Sequence, residues 1–116
     1  MKFLCLAYGD GKDWKALSKQ EQDELLAQDD VLRKRGALMA AVEANVVTVT
    51  AWDGKPIVTE RAFSDLYAPL AGFSVIEAAS VNEAVELVAG TPCARARGAI
   101  EIRPILAMND DQFWNR

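Results

Sequence analysis

Two rhythms of apolar and polar residues divide this chain. Residues 2–8 are a nearly continuous apolar run closed by Gly9-Asp10-Gly11, which predicts a strand buried on both faces and then a turn. A loop holding Trp14 follows. Ser18-Lys19-Gln20-Glu21 has the spacing of a capping box, so a helix should begin at Ser18 and stop at Gly36, where glycine tolerates a left-handed backbone. Its apolar positions, Leu25, Leu26 and Leu32, make a thin stripe, and Asp29 interrupts it. That carboxylate must either reach the rim of the helix or be buried beside an arginine.

Beyond Gly36 the period shortens to two. Residues 37–44 and 46–52 read as strands, the second alternating Val47, Val49 and Ala51 with Thr48, Thr50 and Trp52. Asp53-Gly54 is a hairpin turn signal, and it leads into residues 56–59, whose proline suits an edge strand. A loop over 60–71 precedes a strand over 72–78. Ser80-Val81-Asn82-Glu83 repeats the capping-box spacing, and Ala84, Val85 and Val88 give a helical stripe that ends at Gly90-Thr91-Pro92. The segment TPCARARG reads as a loop. In the last strand, 98–105, Ile100 and Ile102 face one way while Glu101 and Arg103 face the other.

The order strand, helix, two or three strands, helix, strand is that of a ferredoxin-like α+β sandwich with an extra hairpin strand, its antiparallel sheet covered by two helices on one face. The expected members of the other face, among them Trp52, the first strand's apolar residues and the pair Glu101 and Arg103, would leave an apolar patch in water. A second copy packed sheet to sheet would cover it, so a homodimer is expected.

Composition narrows the function classes. With 116 residues the chain has room for one domain, expected over 1–105, with a polar tail over 106–116 that carries Phe113 and Trp114. The net charge of −4 and the absence of a basic patch argue against nucleic acid, since Arg33, Lys34 and Arg35 fall in the last turn of a helix, where cations complement its negative end. No apolar run approaches the roughly 18 to 20 residues of a membrane-spanning helix, and the start turns polar after Tyr8, so a cytoplasmic protein is expected. Two cysteines, Cys5 and Cys93, make neither a disulfide framework nor a zinc site, and with no histidine ordinary imidazole chemistry is excluded. No cofactor signature is present.

Several stretches together resemble the YCII-related proteins of the DGPF type. Tyr8-Gly9-Asp10 closes the first strand, Trp14 and the Ser18 to Glu21 cap follow, Asp53-Gly54 matches the family's hairpin, Leu70, Gly72 and Phe73 lead into the next strand, and Gly98, Ile100, Glu101, Arg103 and Pro104 match its last strand. The signature itself departs: Glu60-Arg61-Ala62-Phe63 stands where the family has Asp-Gly-Pro-Phe, and Ser64-Asp65-Leu66-Tyr67-Ala68 where it has Ala-Glu-Thr-Lys-Glu. The resemblance implies a dimeric α/β barrel with a cleft between sheet and loops. Some relatives act on small aromatic or lactone compounds through a histidine and aspartate pair, and this chain lacks the histidine.

Candidate chemistry therefore rests on carboxylates, arginines and aromatics. Asp10, Glu60 and Asp65 are the candidate bases. Tyr8, Trp14, Arg61, Phe63, Glu101 and Arg103 are the candidate ligand contacts, Arg103 or Arg61 gripping a substrate carboxylate. Each has a structural alternative: Asp10 as a turn former, Glu101 with Arg103 as an ion pair that fixes a dimer, the loop charges as solvated, and Trp14 and Trp52 as packing anchors. The expected function is binding of a small anionic or aromatic molecule. Two alternatives stand beside it: a weak lyase or isomerase with a carboxylate base, and an interaction module whose sheet face is used up in dimerisation.

Overall fold

The computed structural model describes residues 1–64 and 67–108. Its centre is β1 (Lys2–Tyr8), which pairs antiparallel on one side with β5 (Leu70–Glu77) and on the other with β6 (Ala99–Pro104). The edge strand β2 (Leu38–Ala41) adds to β5 and completes a four-stranded sheet in the order β2-β5-β1-β6. With α2 (Lys19–Lys34) between β1 and β2, and α3 (Val81–Val88) between β5 and β6, this is the ferredoxin-like arrangement.

Alternation along the strands sorts the two faces. Phe3 and Cys5 of β1, Ser74 and Ile76 of β5, Met39 of β2, and Ile100 and Ile102 of β6 point to the helices, where Leu32, Ala84 and Val88 close the core. Phe3 is fully buried. The opposite face carries Leu4, Leu6 and Tyr8 beside Phe73 and Val75, with Leu38 on one flank and Glu101 and Arg103 on the other. Among the described residues it has no covering layer of helices.

Helix ends follow local chemistry. Ser18 accepts from Glu21 N–H at 3.1 Å while Glu21 accepts from Ser18 N–H at 3.0 Å, a complete capping box. At the other end Gly36 takes φ +89, its N–H meets Arg33 O at 2.9 Å, and Ala37 N–H meets Leu32 O at 3.1 Å, the bond pair of a Schellman motif. Only Leu25 and Leu32 of the stripe are buried, and Leu26 faces out. Ser80 caps α3 through Glu83 N–H, but the Glu83 carboxylate reaches Ala79 N–H rather than Ser80, and Val85 of its stripe is exposed.

Several expectations need correction. The loop around Trp14 contains a short helix, α1 (Gly11–Lys15), and TPCARARG opens with another, α4 (Pro92–Arg95), started by proline at its first turn. Strand β5 begins two residues before Gly72, so Leu70 and Ala71 leave the preceding loop. Trp52 does not lie on the sheet face. The expected strands over 46–52 and 56–59 shrink to β3 (Thr48–Thr50) and β4 (Ile57–Thr59), which pair only with each other, and Trp52 sits in their turn, 93% exposed. The hairpin is an arm inserted between β2 and β5 rather than an extension of the main sheet. No helix among the described residues is long and apolar enough to cross a membrane.

Candidate functional site

On the helix side of the sheet, packing leaves a cavity of about 260 Å³ between α2, the strands and the turn that starts α4. Leu32, Met39, Val88 and Ile100 make its walls apolar, while Asp29, Arg33, Cys5, Ser74, Thr91 and Cys93 bring polar or polarisable groups to it. Asp29 and Arg33 are four apart on α2 and so share a face. Gln28 Nε2 donates to Leu87 O at 2.7 Å, tying this part of α2 to α3 and fixing the height of Asp29 over the sheet. Thr91 Oγ1 donates to Val88 O, which holds the corner from which Pro92 and Cys93 turn inward.

The electrostatics are those of a half-dry site. Burial pushes the Asp29 carboxyl above the ordinary carboxylate range, and the nearby Arg33 guanidinium only partly opposes it, while Asp30 adds to the rise. Burial likewise raises the Cys93 thiol, and the charge of Asp29 raises it further. Cys5 is raised by burial and partly relieved by a hydrogen bond with Ser74, its cross-strand neighbour. Both thiols are therefore weak nucleophiles at neutral pH. Arg33 is also paired to Asp30 one turn back and stays more than half exposed, at the mouth. An apolar chamber with a few convergent polar groups and a perturbed carboxyl is the usual look of a ligand site.

A second, smaller hollow of about 210 Å³ lies where the open face meets the end of the long loop, lined by Tyr8, Tyr67, Ala68, Gly98, Ala99 and Glu101. Tyr8 OH donates to Glu101 Oε1 at 2.7 Å, and Arg103 approaches the same oxygen at 3.6 Å. Accepting that hydrogen bond, Glu101 holds the Tyr8 hydroxyl above its ordinary pKa, with burial and the Glu101 charge adding to the effect. The structure thus brings together Tyr8, Glu101 and Arg103 on one face, as strand alternation requires.

The other expected residues are dispersed. Asp10 is the N-cap of α1, its carboxylate accepting from Lys12 N–H at 3.0 Å. Trp14 is half-buried within α1, where its carbonyl accepts from Gln22 at 3.0 Å. Glu60, Arg61 and Phe63 are exposed, and Arg61 contributes its backbone oxygen to Thr48 Oγ1 at 2.7 Å. Neither cavity is lined by Asp10, Trp14, Glu60, Arg61 or Phe63. Asp65 and most of the tail, with Phe113 and Trp114, lie outside the described residues. Sequence reading missed the helix-side cavity, and its one signal was Asp29 on an apolar stripe. Among the described residues no three His, Cys, Asp or Glu side chains are grouped to hold a metal ion.

No curated protein matches this chain. Among solved structures it is similar to 5-chloro-2-hydroxyhydroquinone dehydrochlorinase from Burkholderia phenoliruptrix AC1100, solved in complex with 2,5-dihydroxybenzoquinone, with 18% identity over 90% of this chain and 93% of that one and a TM-score of 0.47. The YCII-related domain matches residues 1–109, nearly the whole length, and the chain belongs to the YCII-related family.

Proposed function

We propose that this protein binds a small ring compound with one acidic or hydrogen-bonding oxygen group in the helix-side cavity. The observation that carries the reading is the combination of apolar walls with Asp29 and Arg33 in one chamber. A volume of about 260 Å³ lies just below the usual range of roughly 300 to 1,000 Å³ for ligand sites, which favours a single ring over a nucleotide or a lipid. The apolar part of the ligand sits against Leu32, Met39 and Ile100. Its oxygen group lies within reach of the Asp29 carboxyl and takes a charge contact from Arg33 at the mouth. Asp29 is equally suited to move a proton, so the chemistry available to a bound substrate would be acid or base work without imidazole.

The dimeric barrel belongs to the same proposal. Leu4, Leu6, Phe73 and Val75 form an apolar field on the open face, and a second copy with the same field would bury it. The hollow beside Tyr8 and Glu101 would then lie at the edge of that contact.

The test uses benzoate and 4-hydroxybenzoate as probes in thermal shift. Wild type and Arg103→Ala should both gain stability with increasing probe, as binding to the folded state alone requires, while Arg33→Ala should lose the gain. A response that survives Arg33→Ala but disappears in Arg103→Ala would move the site to the open face and overturn the assignment.

A further inference from the structure

The arm carries an unprotected strand edge. Residues 44–52, which contain β3, include no charged side chain and no proline, whereas β4 is preceded by Lys55 and Pro56 and followed by Glu60 and Arg61. Natural edge strands are guarded by charges, prolines or bulges, because an open row of N–H and C=O groups recruits other strands. Here one edge of the hairpin has the guards and the other lacks them. A two-stranded ribbon of this length is also marginal by itself in water. Among the described residues the outer edge of β3 is unpaired.

We infer that β3 pairs edge to edge, antiparallel, with β3 of a second copy, so that two arms merge into one four-stranded sheet. Three observations choose a second copy over another partner. Antiparallel pairing about a twofold axis near Val49 sets Val49 against Val49, Thr48 against Thr50 and Val47 against Ala51. A charged edge would place like charges opposite each other at that axis, and this edge has none. The exposed side chains of Val46, Val47, Val49 and Trp52 lie on or beside the β3 edge itself, so a second copy of that edge meets apolar surface that it can cover. Lastly, the charges flanking the arm are of both signs, Asp53 and Glu60 against Lys55 and Arg61, so the arm itself sets no field of one sign against a second copy, and an anionic partner finds no cationic field. This contact uses no residue of the helix-side cavity and none of the open sheet face, so it stands apart from the function proposed above.

Cysteine scanning tests it directly. Val49 and Val58 face each other across the hairpin and are equally exposed, 59% each. In the proposed sheet two copies of residue 49 are adjacent, whereas two copies of residue 58 are separated by three strand spacings, about 14 Å. A disulfide needs Cα atoms within about 7 Å. Under mild oxidation the full chain carrying Val49→Cys should cross-link at least tenfold more than the chain carrying Val58→Cys, above the background of Cys5 and Cys93 in the parent. Equal yields would overturn the inference. Amide exchange gives a second reading: residues 46–52 should be protected at high micromolar concentration, lose protection on dilution, and lose it at all concentrations in Val49→Lys with an unchanged unfolding midpoint. Protection indifferent to dilution would mean that the chain covers its own edge, or that a tightly held peptide does, and would equally overturn it.

Discussion

Gly98 is where the first strand, the last strand and α4 come within touching distance, and a single methyl group there should be costly. A Cβ built on Gly98 would lie 2.0 Å from Tyr8 O and 2.7 Å from Cys93 O, both backbone atoms that cannot rotate away. A carbon and a carbonyl oxygen rest no closer than about 3.3 Å, so roughly 1.3 Å of room must be found by moving main chain. Tyr8 pairs with Ala99, the next residue, so the room comes out of the β1–β6 ladder at its end and out of the Tyr8–Glu101 hydrogen bond. Overpacking of this kind costs about 1 to 3 kcal/mol, and one weakened hydrogen bond adds about 1, giving roughly 2 to 4 kcal/mol for Gly98→Ala. Set against a total stability of about 5 to 15 kcal/mol, that is a large share. At roughly 4 °C per kcal/mol for a chain of this size, the midpoint should fall by about 8 to 16 °C. Urea unfolding followed by circular dichroism measures the free-energy change, and a thermal melt checks the shift. Gly11→Ala is the control, because nothing lies within 4 Å of its Cβ, and it should change stability by no more than about 1 kcal/mol. If Gly98→Ala is as mild as Gly11→Ala, the close approach of the three segments does not exist as described.

Two further outcomes follow from the helix α2. Because burial raises the Asp29 carboxyl, the folded chain holds that proton after the unfolded chain has released it. Wild-type stability should therefore fall, relative to Asp29→Asn, as pH rises from the ordinary carboxylate value of about 4 through the raised value, and level off above it. Parallel urea midpoints for the two proteins across that window would refute the burial argument, and a downward shift of the pH profile of Cys93 alkylation in Asp29→Asn would independently support it. Gly36→Ala forces a side chain into φ +89 and should cost about 1 to 2 kcal/mol in urea unfolding, with a loss below about 0.5 kcal/mol contradicting the Schellman geometry.

What was legible in the sequence was local. The Ser18 box, the stop at Gly36, the Asp53-Gly54 turn and the opposite facing of Ile100 and Glu101 each depend on residues a few positions apart, and each appears in the structure. The helices α1 and α4 escaped because five and four residues are too few to display a period. The arm escaped for a different reason. Alternation identifies a strand but not its neighbour, and nothing within 46–59 says that β3 and β4 would pair with each other alone rather than join the main sheet. The same limit hid the cavity. Asp29 stood out on its stripe, yet the space it faces is enclosed by Cys5, Met39, Ser74 and Cys93, contributed by four segments that only folding brings together. Sequence spacing separates Cys5 from Cys93 by most of the chain and gives no hint that they share a wall.

The pairing of β1 sets a constraint on how the protein can be made. Its first neighbour, β5, begins at Leu70, and its second, β6, ends at Pro104. Within this domain a ribosome therefore delivers the central strand well before its two partners, and both margins of that apolar segment stay bare until β5 and then β6 emerge. Pairings so distant along the chain are slow to form, and the nascent domain must avoid sticking until its last strand has docked. Loss of the final strand would leave β1 half zipped, so closure of this sheet hangs on a single event, the docking of β6.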